Sequence, residues 1–208
     1  MSQPTFGPRW SSIVSEGWRS GLPDLQAASL TLRELQVADA GALFEELNSD
    51  EVSRFISPPP ANVAGFERFI RWAQAERVGG RYACFAVVPE SRSAPVGIFQ
   101  IRVLDPHQAT AEWGFALGSS YWGTGMFMAS ARRVIDFAFG QMGLRRLEAR
   151  ACVANERGTG ALRKPGAVCE AVLHQSFERD GERLDQGLWT ILREDWLFLK
   201  SVSRVAVH

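Results

Sequence analysis

Residues Thr110 to Phe139 read TAEWGFALGSSYWGTGMFMASARRVIDFAF, and this stretch decides the fold class of the chain. The alternating segment Thr110–Leu117 predicts a strand, and Met126–Phe139 has the apolar spacing of a helix. Gly123 and Gly125 stand in the turn between them. A strand that passes through such a turn into a helix N-terminus presents unpaired backbone N–H groups, and the helix dipole favours negative charge there. The stretch therefore predicts a binding site for a phosphate-bearing molecule.

Strands and helices are predicted on both sides of this stretch, after an irregular N-terminal arm of Met1–Ala28. Trp10 and Trp18 predict that parts of the arm dock on an apolar surface. The pattern predicts strands at 29–35, 82–88, 95–103, 110–117, 146–154, 168–177 and 184–191, and helices at 38–47, 62–78, 126–139 and 158–164. The order β-α-α-β-β-β-α-β-α-β-β predicts one α/β domain over residues 29–200 with a mixed sheet.

Turn and cap residues support these boundaries. Asp39 stands where it would cap the first helix. The run Pro58-Pro59-Pro60 excludes a helix or a central strand and predicts a stiff loop. The pair Asp180-Gly181 predicts a tight hairpin between the last two strands.

Composition and charge exclude several classes of protein. The 208 residues include 23 basic and 23 acidic side chains, so net charge provides no attraction for nucleic acid or for an anionic membrane. No leader stands near Met1 and no apolar run approaches about 18 residues, so we expect a soluble, cytoplasmic protein with no membrane partner. Cys84, Cys152 and Cys169 lack C-x-x-C spacing, and we expect small buried thiols and no metal site.

Glu112 and Gly114 are unusual residues for the strand that precedes the turn. Alternation places them on the face opposite to Trp113 and Phe115. In a central strand that is covered on both faces, a carboxylate at position 112 either finds a partner or has its pKa raised, and both outcomes are typical of functional carboxylates. A solvated Glu near the end of the sheet is the open alternative. An interior glycine indicates a bulge or the close approach of a ligand.

The turn Trp122-Gly123-Thr124-Gly125-Met126-Phe127 matches neither of the common nucleotide motifs. It is not a Walker A sequence, because no G-K-[ST] follows the glycines. It is a poor Rossmann fingerprint, because the third glycine is absent and the preceding strands form a hairpin.

Five short motifs follow one another in order between about Ser29 and Leu197. They are Ala111–Phe115, Tyr121–Gly125, Arg146–Arg150 leading into Asn155, Lys164–Leu173, and Asp185–Trp196. Together they resemble the GNAT N-acetyltransferases, in the branch of ribosomal-protein-alanine acetyltransferases of the RimJ/RimL type. The resemblance covers nearly all of the chain except the arm.

The resemblance implies acetyl-CoA as co-substrate, a primary amine of a peptide N-terminus or a small molecule as acceptor, and no metal. It implies a GNAT-like, mostly antiparallel sheet of about seven strands flanked by about four helices, and a homodimer is compatible with it. In such enzymes the pantetheine lies along the strand and the pyrophosphate on the turn. The implied cofactor-binding residues are Phe115, Ala116, Leu117, Trp122, Gly123, Thr124, Gly125, Met126, Phe127 and Asn155. By analogy, the loop with Phe55, Ile56 and the three prolines, the second helix and the last hairpin would wall the acceptor groove.

The chemistry of such a transfer requires a neutral amine. A lysine-type amine has a pKa of about 10.4 and is mostly protonated at pH 7, whereas an α-amine, at about 7.7–8.0, is deprotonated in a useful minority. Glu112 is the candidate base, acting directly or through water, and the backbone N–H of Phe115 or Ala116 is the candidate donor to the thioester oxygen. Attack would be direct, in a ternary complex. A covalent route through Cys152 lacks a recognisable Cys/His signature.

The chain departs from the family pattern at three positions. Gly158 stands where many members of the branch have Ser, and Leu162 where other GNAT enzymes have Tyr; either hydroxyl is a candidate proton donor to the departing thiolate. Thr159 is the nearest hydroxyl, and solvent is the alternative donor. Pro165 stops the short helix and removes an N–H. Three alternatives therefore stay open: a non-catalytic acyl-CoA-binding or regulatory protein, a transferase that uses another acyl-CoA such as succinyl-CoA, and a nucleotide-binding interaction module.

Overall fold

A computed structural model describes residues 17–205, with side chains to residue 202. The described residues form eight strands: β1 (Leu25–Ala27), β2 (Leu30–Glu34), β3 (Tyr82–Pro89), β4 (Gly97–Asp105), β5 (Thr110–Leu117), β6 (Arg146–Cys152), β7 (Val168–Arg179) and β8 (Glu182–Leu192). They also form seven helices: α1 (Gly17–Ser20), α2 (Ala40–Leu47), α3 (Asp50–Ser53), α4 (Val63–Val78), α5 (Met126–Gly140), α6 (Glu156–Arg163) and α7 (Arg193–Val205).

All eight strands belong to one sheet in the order β1-β2-β3-β4-β5-β6-β8-β7. Every neighbouring pair is antiparallel except β5 and β6, which run parallel over the short register from Thr110↔Arg146 to Glu112↔Glu148. The connection between these two strands contains α5, as a parallel crossover requires. The α/β domain with a mixed sheet predicted from the pattern is therefore confirmed, as is the mostly antiparallel pairing that the resemblance implies, with eight strands in place of about seven and seven helices in place of about four among the described residues.

The sheet separates two apolar cores, because successive residues of a strand point to opposite faces. In β3, Phe85 packs in the core on the α5 side, while Tyr82 and Cys84 pack with α2 and α4 on the other side. The α5 core also contains Trp113 and Ile135, which are almost completely buried. Helices cover both faces of the central strands, which accounts for the continuous apolar run in β3.

The predicted elements are present, with boundaries that shift by a few residues. The prediction missed α3 and the C-terminal helix α7, which Trp196 anchors by donating to Oδ1 of Asp136 at 2.8 Å. The described part of the arm is not irregular, since it contains α1 and the edge strand β1. Trp18 is buried in the main core, in agreement with the predicted docking, whereas Trp10 lies outside the described residues.

Asp39 does not cap α2 as predicted. Its carboxylate accepts two hydrogen bonds from the Arg33 guanidinium, each at 2.7 Å, and a third from the N–H of Gln36 at 2.8 Å. Charge-assisted, bidentate bonds are stronger than a bond to a neutral helix N–H, so this carboxylate joins the end of β2 to the turn before α2.

The structure confirms the predicted tight turn between the last two strands. Asp180 and Gly181 both have positive φ, 51° and 81°, as a tight hairpin turn of mirror-image type requires. Cys84 and Cys152 are buried as expected, but the prediction is wrong for Cys169, which is exposed on the edge strand β7, as are most residues of that strand. Among the helices of residues 17–205, none is long and apolar enough to cross a membrane.

Candidate active site

Strands β5 and β6 pair only at their beginnings and then separate. Their last paired residues are Glu112 and Glu148. Beyond this point β5 continues to pair with β4, from Trp113 to Leu117, but no strand of the described residues pairs with its other edge. Because backbone groups alternate in direction along a strand, part of the N–H and C=O groups of Trp113–Leu117 face the opening. The opening is where the resemblance places the pantetheine.

The turn that follows β5 presents free backbone N–H groups at the start of α5. Gly123 and Gly125 have positive φ, 76° and 86°, and no atom of the described residues lies within 4 Å of a Cβ built on either. Within the described part of the chain, no N–H from Gly123 to Met128 donates to a protein acceptor, and the helical bonds begin with Ala129 N–H to Gly125 O at 3.1 Å. This geometry fits the predicted phosphate cradle.

Trp122 joins the turn to β5 by a hydrogen bond and contacts the guanidinium of Arg157 with its ring. Its Nε1 donates to the carbonyl of Leu117 at 2.9 Å, and Cζ of Arg157 lies 3.6 Å from a ring centroid of the indole. The aromatic face therefore holds the guanidinium beside the turn.

A cleft of about 550 Å³ extends from the turn to the opening between β5 and β6. Eight of the ten predicted cofactor-binding residues line it: Phe115, Ala116, Leu117, Trp122, Gly123, Gly125, Phe127 and Asn155. The other two face elsewhere. Thr124 Oγ1 donates to the carbonyl of Tyr121 at 2.7 Å, and Met126 packs against the α5 core. The structure thus brings most of the predicted set together around one cleft.

Three cationic side chains outside the predicted cofactor-binding set also line this cleft. They are Arg54, Arg157 and Lys164. Arg54, which follows α3, and Arg157, in α6, belong to none of the five motifs, and Lys164 begins the fourth motif without an assigned role. Their positive charge suits an anionic ligand.

Asn155 caps α6 at the wall of the cleft. Its Oδ1 accepts from the N–H of Gly158 at 2.9 Å, which links the segment after β6 to the helix. Pro165 lies beyond the last helical residue, where a missing N–H removes no helical bond.

A second cavity, of about 690 Å³, lies on the α2/α4 side of the sheet. Its walls come from the loop after α3, from α4 and from the β7–β8 hairpin, which are the three segments named by analogy. The two cavities share six lining residues: Phe55, Ile56, Phe115, Ala116, Asn155 and Gly158. They therefore meet where β5 and β6 separate.

Glu112 lines the second cavity and is paired. Its Oε2 lies 2.6 Å from Nη2 of Arg102, its cross-strand partner in β4. Of the two outcomes expected for this carboxylate, the structure has the first, a partner. The side chain is 27% exposed, so the carboxylate is also within reach of water.

Gly114 is not a bulge, because the β4–β5 register is continuous at this position. Its cross-strand neighbour Gln100 lies across it instead: a Cβ at position 114 would be 3.2 Å from Nε2 of Gln100. Oε1 of Gln100 accepts a hydrogen bond from the hydroxyl of Tyr82. Both Gln100 and Gly114 line the second cavity.

The candidate proton donors to a leaving thiolate do not face the site. Thr159 is buried, donates to the carbonyl of Glu156 at 3.2 Å and lines neither cavity. Cys152 is also buried and lines neither cavity, which argues against the covalent route. Solvent is the remaining donor of those considered from the sequence.

A separated pair of parallel strands, a glycine turn at a helix start and two cavities that meet at the separation define the class of an acyl-CoA-dependent transferase. Sequence comparison places the chain within that class. Residues 29–168 match the family described as the acetyltransferase (GNAT) domain, and the chain belongs to this family. Its members transfer an acetyl group from acetyl-CoA to an amine, so this protein is an N-acetyltransferase.

Relatives of similar length support this assignment. The uncharacterized N-acetyltransferase p20 of Bacillus licheniformis is 22% identical over 173 residues, which cover 83% of this chain and 97% of p20. The structure of Mycobacterium smegmatis RimJ in complex with CoA-disulfide has a TM-score of 0.75 and 23% identity, and the match covers 83% of this chain and 87% of RimJ. RimL, a ribosomal L7/L12 alpha-N-protein acetyltransferase in complex with coenzyme A, has a TM-score of 0.75 and 14% identity, covering 82% and 98%. At these identities the two structures show a shared fold.

Proposed function

We propose that this protein transfers an acetyl group from acetyl-CoA to the α-amine of a peptide, a protein N-terminus or a small molecule, by direct attack in a ternary complex. The observation that carries the proposal is the meeting of the two cavities at Phe115, Ala116, Asn155 and Gly158. A thioester that enters from the first cavity and an amine that enters from the second come into contact there.

The first cavity suits acetyl-CoA. The free N–H groups of Gly123–Met128 would hold the pyrophosphate, and Arg54, Arg157 and Lys164 would neutralise phosphate charge. The unpaired edge of β5 would bind the pantetheine amides. The N–H of Phe115 or Ala116 would donate to the thioester oxygen as negative charge develops on it.

The second cavity suits a neutral acceptor. Glu112 and Arg150 are the charged residues that line it, and Glu112 is already paired with Arg102. The walls are otherwise largely apolar, with Phe55, Phe66 and Phe69 among them. This lining has no surplus of carboxylates for a polycation. It favours an acceptor with a lone amine and a small or apolar side chain, as at many protein N-termini, and ribosomal proteins are the acceptors that the name of RimL indicates.

In the proposed reaction Glu112 takes a proton from the ammonium, directly or through water, and the neutral amine attacks the thioester carbonyl. The new C–N bond forms, the C–S bond breaks, and the CoA thiolate leaves and takes a proton from solvent. Glu112 releases the first proton to solvent and, as a carboxylate again, takes the excess proton from the attacking nitrogen as the amide forms. A reactive side chain on the enzyme is not needed.

The test is release of free thiol with acetyl-, propionyl- and succinyl-CoA against a panel of N-terminal peptides and small amines. We expect turnover with acetyl-CoA and an α-amine. CoA binding without thiol release for any amine would instead support the non-catalytic alternative, and turnover with succinyl-CoA alone would change the donor. Greater protection against thermal unfolding by ATP or NAD than by CoA would indicate a nucleotide-binding module.

A further inference from the structure

Gln100, in the wall of the acceptor cavity, has a side-chain amide whose oxygen is hydrogen-bonded and whose nitrogen is not, among the described residues. Gln100 of β4 accepts from the Tyr82 hydroxyl through Oε1. Within residues 17–205, its Nε2 donates to no protein acceptor within hydrogen-bond distance. The same nitrogen lies beside Gly114, at the cavity wall. A side-chain amide that is bonded at one end and free at the other points to a ligand atom.

Tyr82 determines which end of the amide is free. Its side chain is 5% exposed, it packs against Trp72 with ring centroids 4.9 Å apart, and burial raises the pKa of its phenol. The hydroxyl therefore stays protonated. By donating to Oε1 it leaves the N–H₂ group of Gln100 to face the cavity. This is a preorganised donor, held by a second residue that does not itself line the cavity.

The position of Gln100 relates this donor to the proposed chemistry. The register pairs Tyr82 with Arg102 and Glu112 in one row across the sheet, and Cys84 with Gln100 and Gly114 in the next. Gly114 is thus midway between Glu112 and Ala116 on one face of β5, about 6.6 Å from each along the strand. An acceptor whose amine reaches the thioester near Ala116 must lie over Gly114, beside Nε2 of Gln100.

We propose that Gln100 binds the carbonyl oxygen that adjoins the reacting amine, and that Tyr82 positions it. This inference rests on the proposed function and deepens it, since it names the acceptor as an α-amino carbonyl compound: an amino-acid amide or a peptide N-terminus. In such a compound the carbonyl group is attached directly to the carbon that carries the amine. A single amino-acid unit therefore presents its amine to the thioester and its carbonyl oxygen to Gln100. A simple alkylamine has no oxygen to offer and leaves Nε2 unpaired.

Because residue 114 is a glycine, no side chain stands between Nε2 of Gln100 and the cavity. A Cβ there would lie 3.2 Å from Nε2 and 3.6 Å from Cγ of Gln100, so it would press on the amide and cover the nitrogen. Gly114 therefore keeps the donor accessible from the cavity.

The test compares two matched acceptors, L-alaninamide and isopropylamine, which differ in whether a carboxamide or a methyl group is attached to the amine-bearing carbon. For each enzyme the ratio of kcat/KM between the two amines is measured, so that the difference in their basicity cancels between variants. We expect Gln100→Met to lower the alaninamide preference about tenfold, with KM for acetyl-CoA within about twofold of wild type. Tyr82→Phe frees the amide to turn and lowers the preference by a smaller factor, about threefold.

Two further variants serve as controls for the effect of Gln100→Met on the alaninamide preference. Gln100→Glu keeps the size of the side chain and an acceptor for Tyr82 but replaces the free N–H₂ with oxygen, so it must also lose the preference. Gln108→Met makes the same change as Gln100→Met on the exposed β4–β5 loop and must retain it. An unchanged preference in both Gln100 variants overturns the proposal.

A binding measurement separates this inference from the proposed function. Calorimetry with CoA present measures the affinity for a tripeptide amide with an N-terminal alanine. A loss of about tenfold in Gln100→Met supports the role of Gln100 even if wild-type protein releases no thiol, a result that would overturn acetyl transfer alone. Equal affinity in wild type and variant, or no binding to either, overturns the role of Gln100 whether or not turnover is observed.

Discussion

Oδ1 of Asn155 accepts a hydrogen bond from the N–H of Gly158 at 2.9 Å, while its Nδ2 lies 2.5 Å from where a Cβ at residue 158 would be. The cap and the missing side chain are therefore two parts of one arrangement. A serine at position 158, as in many members of the branch, would force Asn155 to move.

The cap predicts different outcomes for two glycines of α6. A Cβ at Gly160 meets no atom of residues 17–202 within 4 Å, so Gly160→Ala should raise the free energy of unfolding by about 0.5–1 kcal/mol through the entropy of the unfolded chain. Gly158→Ala should gain nothing, because loss of the cap costs about 1 kcal/mol. Denaturant unfolding of the two variants measures the difference. Equal stabilisation by both would contradict the contact with Asn155.

Gly125, in the turn before α5, should affect acetyl-CoA binding as well as stability, whereas Gly181 should affect stability alone. Gly125 and Gly181 have similar positive φ, 86° and 81°, and open space around a Cβ. Replacement of either by Ala should cost about 1–2 kcal/mol of stability. Only Gly125→Ala should also weaken acetyl-CoA binding, by titration calorimetry, since Gly181 lies in the β7–β8 turn. Unaltered CoA affinity in Gly125→Ala would remove the turn from the binding site.

Arg157 should contribute to acetyl-CoA binding through its charge. Arg157→Gln is expected to raise KM for acetyl-CoA about fivefold, which corresponds to about 1 kcal/mol, since the guanidinium is partly exposed on Trp122. The factor should shrink at high salt, because exposed charges are screened. Arg133→Gln, an exposed position on α5, serves as the control. A similar rise in KM for both variants would indicate a general effect of net charge.

Glu112 should affect the chemical step more than donor binding. We expect Glu112→Gln to lower kcat by about 100-fold or more, while KM for acetyl-CoA stays within about twofold. Its partner Arg102 is 58% exposed, so loss of the ion pair should cost less than about 1 kcal/mol of stability. Glu67→Gln removes a similar pair with Arg71 on α4 and should leave kcat unaltered. Unaltered kcat in Glu112→Gln would exclude it as the base.

Acid should weaken the attachment of β7. Arg146 donates to both carboxylate oxygens of Glu170, at 3.0 and 2.6 Å, and these bonds hold the pKa of Glu170 below its usual value of 4.5. Because the folded pKa is the lower one, the stabilisation is present above about pH 4.5 and is lost as the pH falls through the folded pKa. Wild type should therefore lose more stability than Glu170→Gln on acidification, by less than about 1 kcal/mol because Glu170 is 40% exposed. Urea unfolding of wild type and Glu170→Gln at several pH values measures this difference in stability, with Glu182→Gln as control. If the free energies of unfolding of wild type and Glu170→Gln fall in parallel as the pH is lowered, the prediction is wrong.

Much of the donor side could be predicted from the sequence because its determinants are local. The alternation in β5, the glycines of the turn and the spacing of α5 lie within thirty consecutive residues, and each acts through backbone geometry. Asn155 likewise acts on the helix that begins beside it. The cation set Arg54, Arg157 and Lys164 could not be predicted, because it assembles from segments about 100 residues apart.

The order of the main strands and helices, the turn at Gly123 and Gly125, and the family could be recognised from the sequence alone. The residues that line the proposed acceptor cavity became clear only from the three-dimensional structure. The β3–β4–β5 register aligns Tyr82 with Glu112 and Gln100 with Gly114, and a shift of one residue would turn those side chains to the other face. Strand propensity depends on residues that are neighbours in the sequence. The register between strands depends on contacts between residues that are far apart in the sequence. For that reason the glycine turn that we propose as a phosphate cradle could be recognised in the sequence, and the Tyr82–Gln100 pair could not.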